Sequence, residues 1–471
     1  MARENISELV KKYEQNLASG KNPYFDADEF EDLVEYYDSR DDLDTARDIV
    51  EAGLKIHPQS DALLAKKGKL YLYDGEYMEA IKLLSPFLSE YNTDVYLILI
   101  EAYLHLGLTA EAEKFSREII DNEEKGEIGN TLSELGFIYL DVDRPKEAIS
   151  YYEKSLEYNP ENQEVLSDLA YAYEMEGKLD SAIEITNRLL DVDPYGYDAW
   201  VNLGKLYSLR NQYEKAIDAF DFALTIEDSD TNVLKLKAHC LSLSGRQQEA
   251  IETYRELLEI DSENGAVLLM LSESLLEIEL FDEAIECIST YEESFGETTE
   301  SITKKAYIAV KMENYDKAIS IASKILEEEE PTVELMSIIG EAYFKKGMYS
   351  EAETQFLKIH SEESDNLFAI DYLSIVSIIE EDYTQALMYT QKLLKLDPEN
   401  VSIKQRIILL SFELDEGIDF ENMLSAFEKE ELLNLFQMIY NKDGDTMSRE
   451  ELIEALREAR ACRILFKNMG N

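Results

Sequence analysis

The chain has 471 residues, 45% of them apolar and 31% charged, which allows a large core and suits a long solvated surface. Its 100 acidic and 45 basic residues give a formal net charge of −55, which argues against nucleic acid and anionic membranes as partners because both bind clustered lysine and arginine. The three cysteines fall in separate segments, which argues against a disulfide framework and indicates a reducing compartment. No apolar run reaches the length of a signal peptide near the start or of a membrane span elsewhere, and we therefore expect a soluble, cytoplasmic protein.

Residues 1–26 form the first predicted element, an N-terminal capping helix. Gly20 and Pro23 end its helical pattern. Its apolar residues recur at helical spacing: Ile6, Val10, Tyr13 and Leu17.

Residues 27–400 carry a repeat with a period of 34 residues. The clearest marker is an alanine that returns every 34 residues, except that Ala112 sits two places early and the following interval restores the register. The series is Ala46, Ala80, Ala112, Ala148, Ala182, Ala216, Ala250, Ala284, Ala318, Ala352 and Ala386. A constant period of this size predicts a solenoid, in which each helical hairpin buries its apolar face against its neighbours. We therefore expect eleven stacked hairpins that share one extended core.

Numbering each unit from 1 to 34, with this alanine at position 20, shows what the other positions do. Apolar residues at positions 4, 7 and 11 lie on one helical stripe. A small residue at position 8 and the alanine at position 20 allow two helix backbones to approach closely. Position 8 is Gly, Ala or Ser in nine of the eleven units, and Val34 and Ile100 are the exceptions. Glycines mark turns inside the hairpins: Gly75, Gly107, Gly177, Gly245 and Gly347.

Two consecutive units carry most of a known pattern. At positions 4, 7, 8, 11, 20, 27 and 32, the first has Leu166, Leu169, Ala170, Tyr173, Ala182, Leu189 and Pro194. At positions 4, 7, 8, 11, 20, 24 and 27, the second has Trp200, Leu203, Gly204, Tyr207, Ala216, Phe220 and Ala223. This pattern resembles the tetratricopeptide repeat, and the chain is similar to long, bacterial-type members of that family. The resemblance implies an all-α, right-handed superhelical solenoid of about eleven helical hairpins with helical caps at both ends.

The resemblance also implies that the first helices of successive units line a concave groove, with positions 2, 5, 9 and 12 facing it. The candidate groove residues are Phe137, Leu140, Tyr171, Asn202, Lys205, Lys235, His239 and Tyr307. The first three form an apolar and aromatic part, whereas the two lysines and the histidine form a basic spot in an acidic molecule. Two simpler interpretations stay open: the aromatic rings pack against adjoining helices, and the lysines neutralise neighbouring carboxylates.

Some members of this family bind the C-terminal carboxylate of chaperone tails with a clamp of Lys, Asn and Arg side chains from three successive units. Only Asn202 matches that clamp here, because the preceding unit has Ser167 and Tyr171 where the clamp has Lys and Asn. The sequence therefore does not predict a chaperone cofactor.

The apolar pattern of residues 401–471 predicts C-terminal capping helices, with a loop at 441–451 between two of them. The loop resembles an EF-hand, because Asp443 and its neighbours place oxygen ligands at alternate positions. However, Thr446 replaces the sharp-turn glycine, and Glu451 falls one place before the closing acidic position. The interpretation that we favour is a polar turn followed by a capping box, Ser448 with Glu451, at the start of the last helix.

The sequence contains no catalytic or cofactor-binding pattern. Its four histidines lie in separate units and form no His-Glu-x-x-His pair, and no cysteine stands at metal-ligand spacing from another. We therefore expect no enzyme, no cofactor and no metal site.

The function that the sequence favours is a scaffold or adaptor that binds a protein or peptide segment in the groove. Two alternatives stay open. One is a self-associating structural protein, and the other is a Ca²⁺-responsive regulator that works through the C-terminal tail. The sequence does not predict the oligomeric state.

Overall fold

The computed structural model describes residues 2–18, 24–88, 92–326, 332–414, 419–442 and 444–469. Within these ranges the chain is built of α-helices joined by short connections, with one 3₁₀ turn at Ser85–Phe87 and no β-strand. None of the described helices combines the length and the apolar character needed to cross a membrane. Three residues used in the sequence analysis lie outside the described ranges: Gly20, Pro23 and Asp443.

The helices fall into two compact units, Met1–Arg246 and Gln247–Asn471. The helices of the first unit are α1 Ala2–Ala18, α2 Ala27–Asp38, α3 Leu43–Ile56, α4 Asp61–Tyr73, α5 Tyr77–Leu84, α6 Thr93–His105, α7 Thr109–Asn122, α8 Ile128–Asp141, α9 Pro145–Tyr158, α10 Gln163–Met175, α11 Leu179–Val192, α12 Tyr197–Leu209, α13 Tyr213–Ile226 and α14 Thr231–Leu243. The helices of the second unit are α15 Gln247–Ile260, α16 Gly265–Glu277, α17 Phe281–Phe295, α18 Thr299–Lys311, α19 Tyr315–Leu326, α20 Val333–Lys345, α21 Tyr349–Glu362, α22 Leu367–Ile379, α23 Tyr383–Leu396, α24 Val401–Leu410, α25 Phe420–Ala426, α26 Lys429–Tyr440 and α27 Arg449–Met469.

Consecutive helices pack as antiparallel pairs because the loops inside the pairs hold only a few residues. In the first unit α2 packs on α3, α8 on α9 and α12 on α13; in the second unit α16 packs on α17 and α22 on α23. Within each unit a pair also packs on the next, as α9 does on α10 and α21 on α22. Both units are therefore all-α stacks of helical hairpins, which confirms the fold class predicted from the 34-residue period.

The small residue at position 8 permits a close contact inside the hairpin. A Cβ atom at Gly204 on α12 would overlap Cε1 of Phe220 on α13, and a Cβ atom at Gly136 would lie 2.6 Å from Cε1 of Tyr152. Both rings are fully buried. Each glycine therefore makes room for the large side chain that lies sixteen residues later in the chain.

Side-chain caps fix where several of the first helices of the hairpins begin. Asn162 accepts a hydrogen bond from the N–H of Val165 at 3.3 Å, and Asn264 accepts one from the N–H of Val267 at 3.2 Å. Each cap satisfies a backbone donor that the first helical turn leaves without an intrahelical partner.

Position 15 adopts the left-handed backbone conformation in the turn of every predicted hairpin. Glu381 shows the arrangement: its N–H donates to the carbonyl of Ile378 at 3.2 Å, and the N–H of Asp382 donates to the carbonyl of Ser377 at 2.9 Å. These are the hydrogen bonds of a Schellman motif, which ends a helix. Five of these residues are the turn glycines predicted from the sequence; the other six have φ between 56° and 63° and are Asp41, Asp143, Asn211, Glu279, Glu313 and Glu381.

Helix α1 covers one end of the first unit. Val10 and Tyr13 pack in a buried cluster with Phe30 and Leu33 of α2. The ring of Tyr13 also lies edge-on to the ring of Tyr37, with 6.2 Å between their centroids. The apolar face of α2 is therefore shielded from water, as a capping helix requires.

Helices α24 to α27 surround one apolar cluster at the end of the second unit. Ile407 and Leu410 of α24 pack with Ala386 and Leu387 of α23, so the apolar interior continues from the last hairpin into the tail. The members of the tail cluster are Ile408, Phe412, Phe420, Leu424, Phe427, Leu432, Leu435, Phe436, Leu452 and Leu456.

The loop before α27 contains the capping box that the sequence favours. The N–H of Ser448 donates to Oε2 of Glu451 at 2.7 Å, and the N–H of Glu451 donates to Oγ of Ser448 at 3.2 Å. Ser448 therefore caps the start of α27, and the Glu451 carboxylate completes the box by accepting from the N–H of Ser448.

The left-handed turns generate a prediction about stability. Glutamate in this conformation carries a steric cost that glycine does not, so Glu381→Gly should stabilise the second unit by about 0.5–1 kcal/mol. The measurement is the free energy of unfolding in urea. Gly347→Ala is the matched control: its φ is 77° and no atom lies within 4 Å of an added Cβ, so it should lose stability for conformational reasons alone. Loss of stability in Glu381→Gly would contradict this account of the turn.

Candidate binding groove

A hollow of about 700 Å³ runs along the first helices of successive hairpins in the first unit. Helix α4 packs on α6, α6 on α8 and α8 on α10, so these helices lie side by side. We call this space the larger hollow. It is lined by Ala65, Lys66, Lys69, Leu72, Asp94, Leu97, Ile98, Glu101, Asn130, Ser133, Glu134, Phe137, Ile138, Asn162, Glu164, Val165 and Asp168.

A second space, the smaller hollow, adjoins the larger one and has a volume of about 410 Å³. Both hollows are lined by Phe137 and Asp168. The complete lining of the smaller hollow is Phe137, Leu140, Asp141, Asp143, Asp168, Tyr171 and Met175. The structure therefore brings Phe137, Leu140 and Tyr171 together.

The two aromatic rings of the smaller hollow are accessible. Phe137 is 60% exposed and Tyr171 is 55% exposed, although both belong to well-packed helices. Neither ring is buried against an adjoining helix, which was the simpler interpretation of these residues. Exposed aromatic rings beside a hollow offer apolar contact area to a ligand.

The charges of the larger hollow are unbalanced. Its two lysines are already engaged: Lys66 pairs with Glu35 at 2.6 Å, and Lys69 pairs with Asp38 at 3.1 Å. Lining carboxylates that have no ion-pair partner among the described residues include Asp94, Glu101 and Glu134. The hollow therefore has carboxylate charge that a cationic group can neutralise.

Burial and mutual repulsion perturb these carboxylates. Burial, and then the nearby Asp141 carboxylate, raise the pKa of Glu101 to about 7, although Lys69 acts in the opposite direction. Partial burial also raises the pKa of Glu134, and the charges of Asp94 and Glu123 raise it further. Both shifts have the physical cause that negative charge is costly where hydration is reduced and the neighbours are also negative.

The predicted basic spot lies apart from the linings of both hollows. Lys205 is exposed on α12, whereas Lys235 is half-buried and His239 is exposed on α14. Neither lysine has an ion-pair partner within 4 Å among the described residues. The pKa of Asp230 is lowered chiefly by the hydrogen bond from Tyr197, and Lys205 contributes to the same shift.

Two further candidates do not line either hollow. Asn202 is exposed on α12. Tyr307 belongs to α18 of the second unit, where the ammonium group of Lys311 lies 5.0 Å from the centroid of its ring. The structure therefore brings three of the eight candidate residues together in one space.

Sequence reasoning missed several of the carboxylates that line the hollows. Glu134 and Asp168 both occupy position 6, which was not among the positions expected to face the groove. Asp168 accepts a hydrogen bond from the hydroxyl of Tyr152 at 3.2 Å. The recurrence of an acidic residue at position 6 in adjacent units was the available signal.

The raised pKa of Glu134 predicts a pH-dependent effect on stability. Folding favours the protonated form of Glu134. The contribution of Glu134 to the free energy of unfolding is therefore fully present below its pKa in the unfolded chain, and it is lost as pH rises through its pKa in the folded protein. Glu134→Gln should therefore be more stable than the parent at pH 8 by about 0.5 kcal/mol or less, because solvent screens the charge, and the difference should vanish below about pH 4.

Urea unfolding at several pH values measures this difference. Glu164→Gln, which removes an exposed carboxylate from the same hollow, is the matched control. A Glu134→Gln variant that is less stable than the parent at pH 8 would show that the carboxylate has a favourable partner.

Comparisons with known proteins agree with the helix pattern. Family models described as tetratricopeptide repeat match residues 65–125, 139–194, 197–230 and 234–264. No curated protein matches the chain in sequence.

Several solved structures are similar to the chain at low sequence identity. A tetratricopeptide repeat protein from Parabacteroides merdae is 17% identical, with 53% of this chain and 98% of that chain covered and a TM-score of 0.43. The Cut9–Hcn1 structure is 14% identical, with 87% and 93% covered and a TM-score of 0.41. YrrB, described as a repeat protein of this class with an unusual peptide-binding site, is 16% identical, with 43% and 95% covered and a TM-score of 0.32.

The family models match the segment whose helices form the stacked hairpins and line both hollows. The sequence pattern, the paired helices and the family models agree, and the chain is a tetratricopeptide repeat protein.

Proposed function

We propose that the protein is an interaction scaffold whose first unit binds an extended segment of another protein in the larger and smaller hollows. Family membership supports a protein-interaction scaffold over an enzyme. The observation that carries the proposal is the combination of exposed Phe137 and Tyr171 with adjacent carboxylates that have no cationic partner among the described residues.

The chemistry of the hollows specifies the segment. An apolar side chain would contact Phe137 and Tyr171, and lysine or arginine side chains would neutralise carboxylates such as Asp94 and Glu134. The net charge of −55 would attract a basic segment and speed its association, an effect that falls with ionic strength. Because the hollows are formed by packed helices, little ordering cost falls on the scaffold.

The basic spot supports a second contact. We propose that Lys205 and Lys235 receive an acidic group of the ligand, since neither lysine has an ion-pair partner among the described residues. Charge reversal of both lysines to glutamate tests this contact separately from the hollows. Affinity for a natural partner that is unchanged by Lys205→Glu with Lys235→Glu would eliminate the contact and leave the two hollows as the site.

The main test uses fluorescent peptides in which lysine alternates with leucine. They should bind more tightly than matched peptides in which glutamate replaces lysine, and anisotropy measured at two salt concentrations should show weaker binding at the higher one. Phe137→Ala combined with Tyr171→Ala should weaken binding by roughly tenfold or more, because aromatic anchors in a binding site commonly contribute that much.

The matched control is Tyr195→Ala, which removes an 80% exposed ring of the same unit that lines neither hollow. Equal losses in both variants, or equal affinity for the lysine and glutamate peptides, would contradict the proposal. Sedimentation at several concentrations separates it from self-association, because a scaffold that only binds other proteins stays monomeric without ligand.

A further inference from the structure

Three side chains with metal-binding chemistry converge at the ends of α6 and α8. Glu101, His105 and Asp141 each offer one ligand atom, and these atoms all lie within 4.8 Å of one another. Glu101 and His105 are four residues apart on α6, which places both on the same face of that helix. Asp141 is the last residue of α8 in the next hairpin. Among the described residues, this is the one place where three such side chains converge.

The imidazole has a defined orientation. The ring of His105 stacks on the ring of Tyr77, with 4.5 Å between the centroids and 10° between the planes. Tyr77 begins α5, so a neighbouring hairpin restricts the rotation of the imidazole. Stacking uses the face of the ring and leaves the nitrogen atoms on its edge available to a ligand.

Neither carboxylate of the cluster is engaged by a protein cation. No ion pair joins Glu101 or Asp141 to a lysine, arginine or histidine among the described residues. Lys69, the cation whose field acts on Glu101, pairs with Asp38 at 3.1 Å. Two carboxylates and one imidazole therefore face a common point where positive charge is lacking.

We propose that Glu101, His105 and Asp141 bind a divalent transition metal ion of the zinc class. An imidazole with two carboxylates suits such ions, whereas Ca²⁺ and Mg²⁺ prefer sites made of oxygen ligands alone. Three protein ligands leave at least one coordination position open to water or to a partner group. Glu101 also lines the larger hollow and Asp141 the smaller one, so the ion would lie beside both hollows.

Spacing in the sequence could not reveal this site. The ligands come from two hairpins, and Asp141 lies 36 residues after His105, so they form none of the short motifs by which metal sites are recognised. The site does not depend on peptide binding, and its test uses the metal alone.

The test is calorimetric titration of the untagged, chelator-treated full chain with Zn²⁺. Cys462→Ser serves as the background because Cys462 is an exposed thiol that can bind zinc itself. One saturable site is expected, and Mg²⁺ should not compete for it at equal concentration. His105→Phe retains a ring against Tyr77 but removes both nitrogens, and it should weaken Zn²⁺ binding by at least about tenfold, as should Asp141→Asn.

His239→Ala is the matched control, because it removes an exposed histidine of the same unit outside the cluster. Co²⁺ gives an independent readout: its visible absorption should report a bound imidazole in the parent and disappear in His105→Phe. The proposal is overturned if no saturable Zn²⁺ binding occurs, or if His105→Phe and His239→Ala weaken it equally. Circular dichroism shows whether each variant is folded. If His105→Phe does not fold, Co²⁺ binding by Asp141→Asn decides whether the cluster binds the metal.

Discussion

The contact on which this structure depends is the close approach of the two helices inside each hairpin. In three hairpins position 8 is a glycine that faces a fully buried aromatic ring sixteen residues later: Gly136 with Tyr152, Gly204 with Phe220, and Gly340 with Phe356. In another hairpin the pair is polar, and the hydroxyls of Ser374 and Thr390 are hydrogen-bonded at 2.7 Å. Because protein interiors are close-packed, the size of the side chain at position 8 limits the size of the side chain sixteen residues later. Hairpins of similar thickness can then stack and bring their first helices side by side.

This pairing explains what the sequence predicted well and where a rule for one position was too strict. The period of 34 predicted the helix pairs because the stacking requirement recurs at every hairpin. Val34 and Ile100 break the small-residue rule at position 8, and the residues sixteen positions later, Val50 and Ser116, are smaller than the aromatic rings elsewhere and equally buried. A small residue at one position is not always matched by a large one at the other, since the pair in α18 and α19 has alanine both at position 8 and sixteen residues later. The left-handed turns were predicted only where the sequence has glycine, which is at five of them. At the other turns the fold imposes the same conformation on residues such as Glu381, which have no intrinsic preference for it.

Some residues of the candidate site could likewise be predicted from the sequence, and others could not. Phe137, Leu140 and Tyr171 could be predicted because their positions in the repeat define their direction, and the structure places all three around one hollow. The carboxylates could not be selected in a chain with 100 acidic residues, since only the structure shows which of them lack a cation. Glu101 and Asp141 come together because α6 and α8 pack side by side, a consequence of stacking that no local motif records. The packing of hairpins thus creates both the apolar contact surface and the unbalanced charge from which a binding function is inferred.

A double-mutant cycle at Gly204 and Phe220 tests the central claim, that paired sizes set the spacing of each hairpin. Gly204→Ala alone should destabilise the first unit by about 1–3 kcal/mol, because the added Cβ has no space beside the ring. Phe220→Leu opens that space, so the double variant should be more stable than the sum of the two single losses predicts, with a coupling energy of about 1 kcal/mol or more. The measurement is the free energy of unfolding in urea for all four proteins. Strictly additive losses would contradict the claim, because they would mean that Gly204 and Phe220 do not limit each other's size.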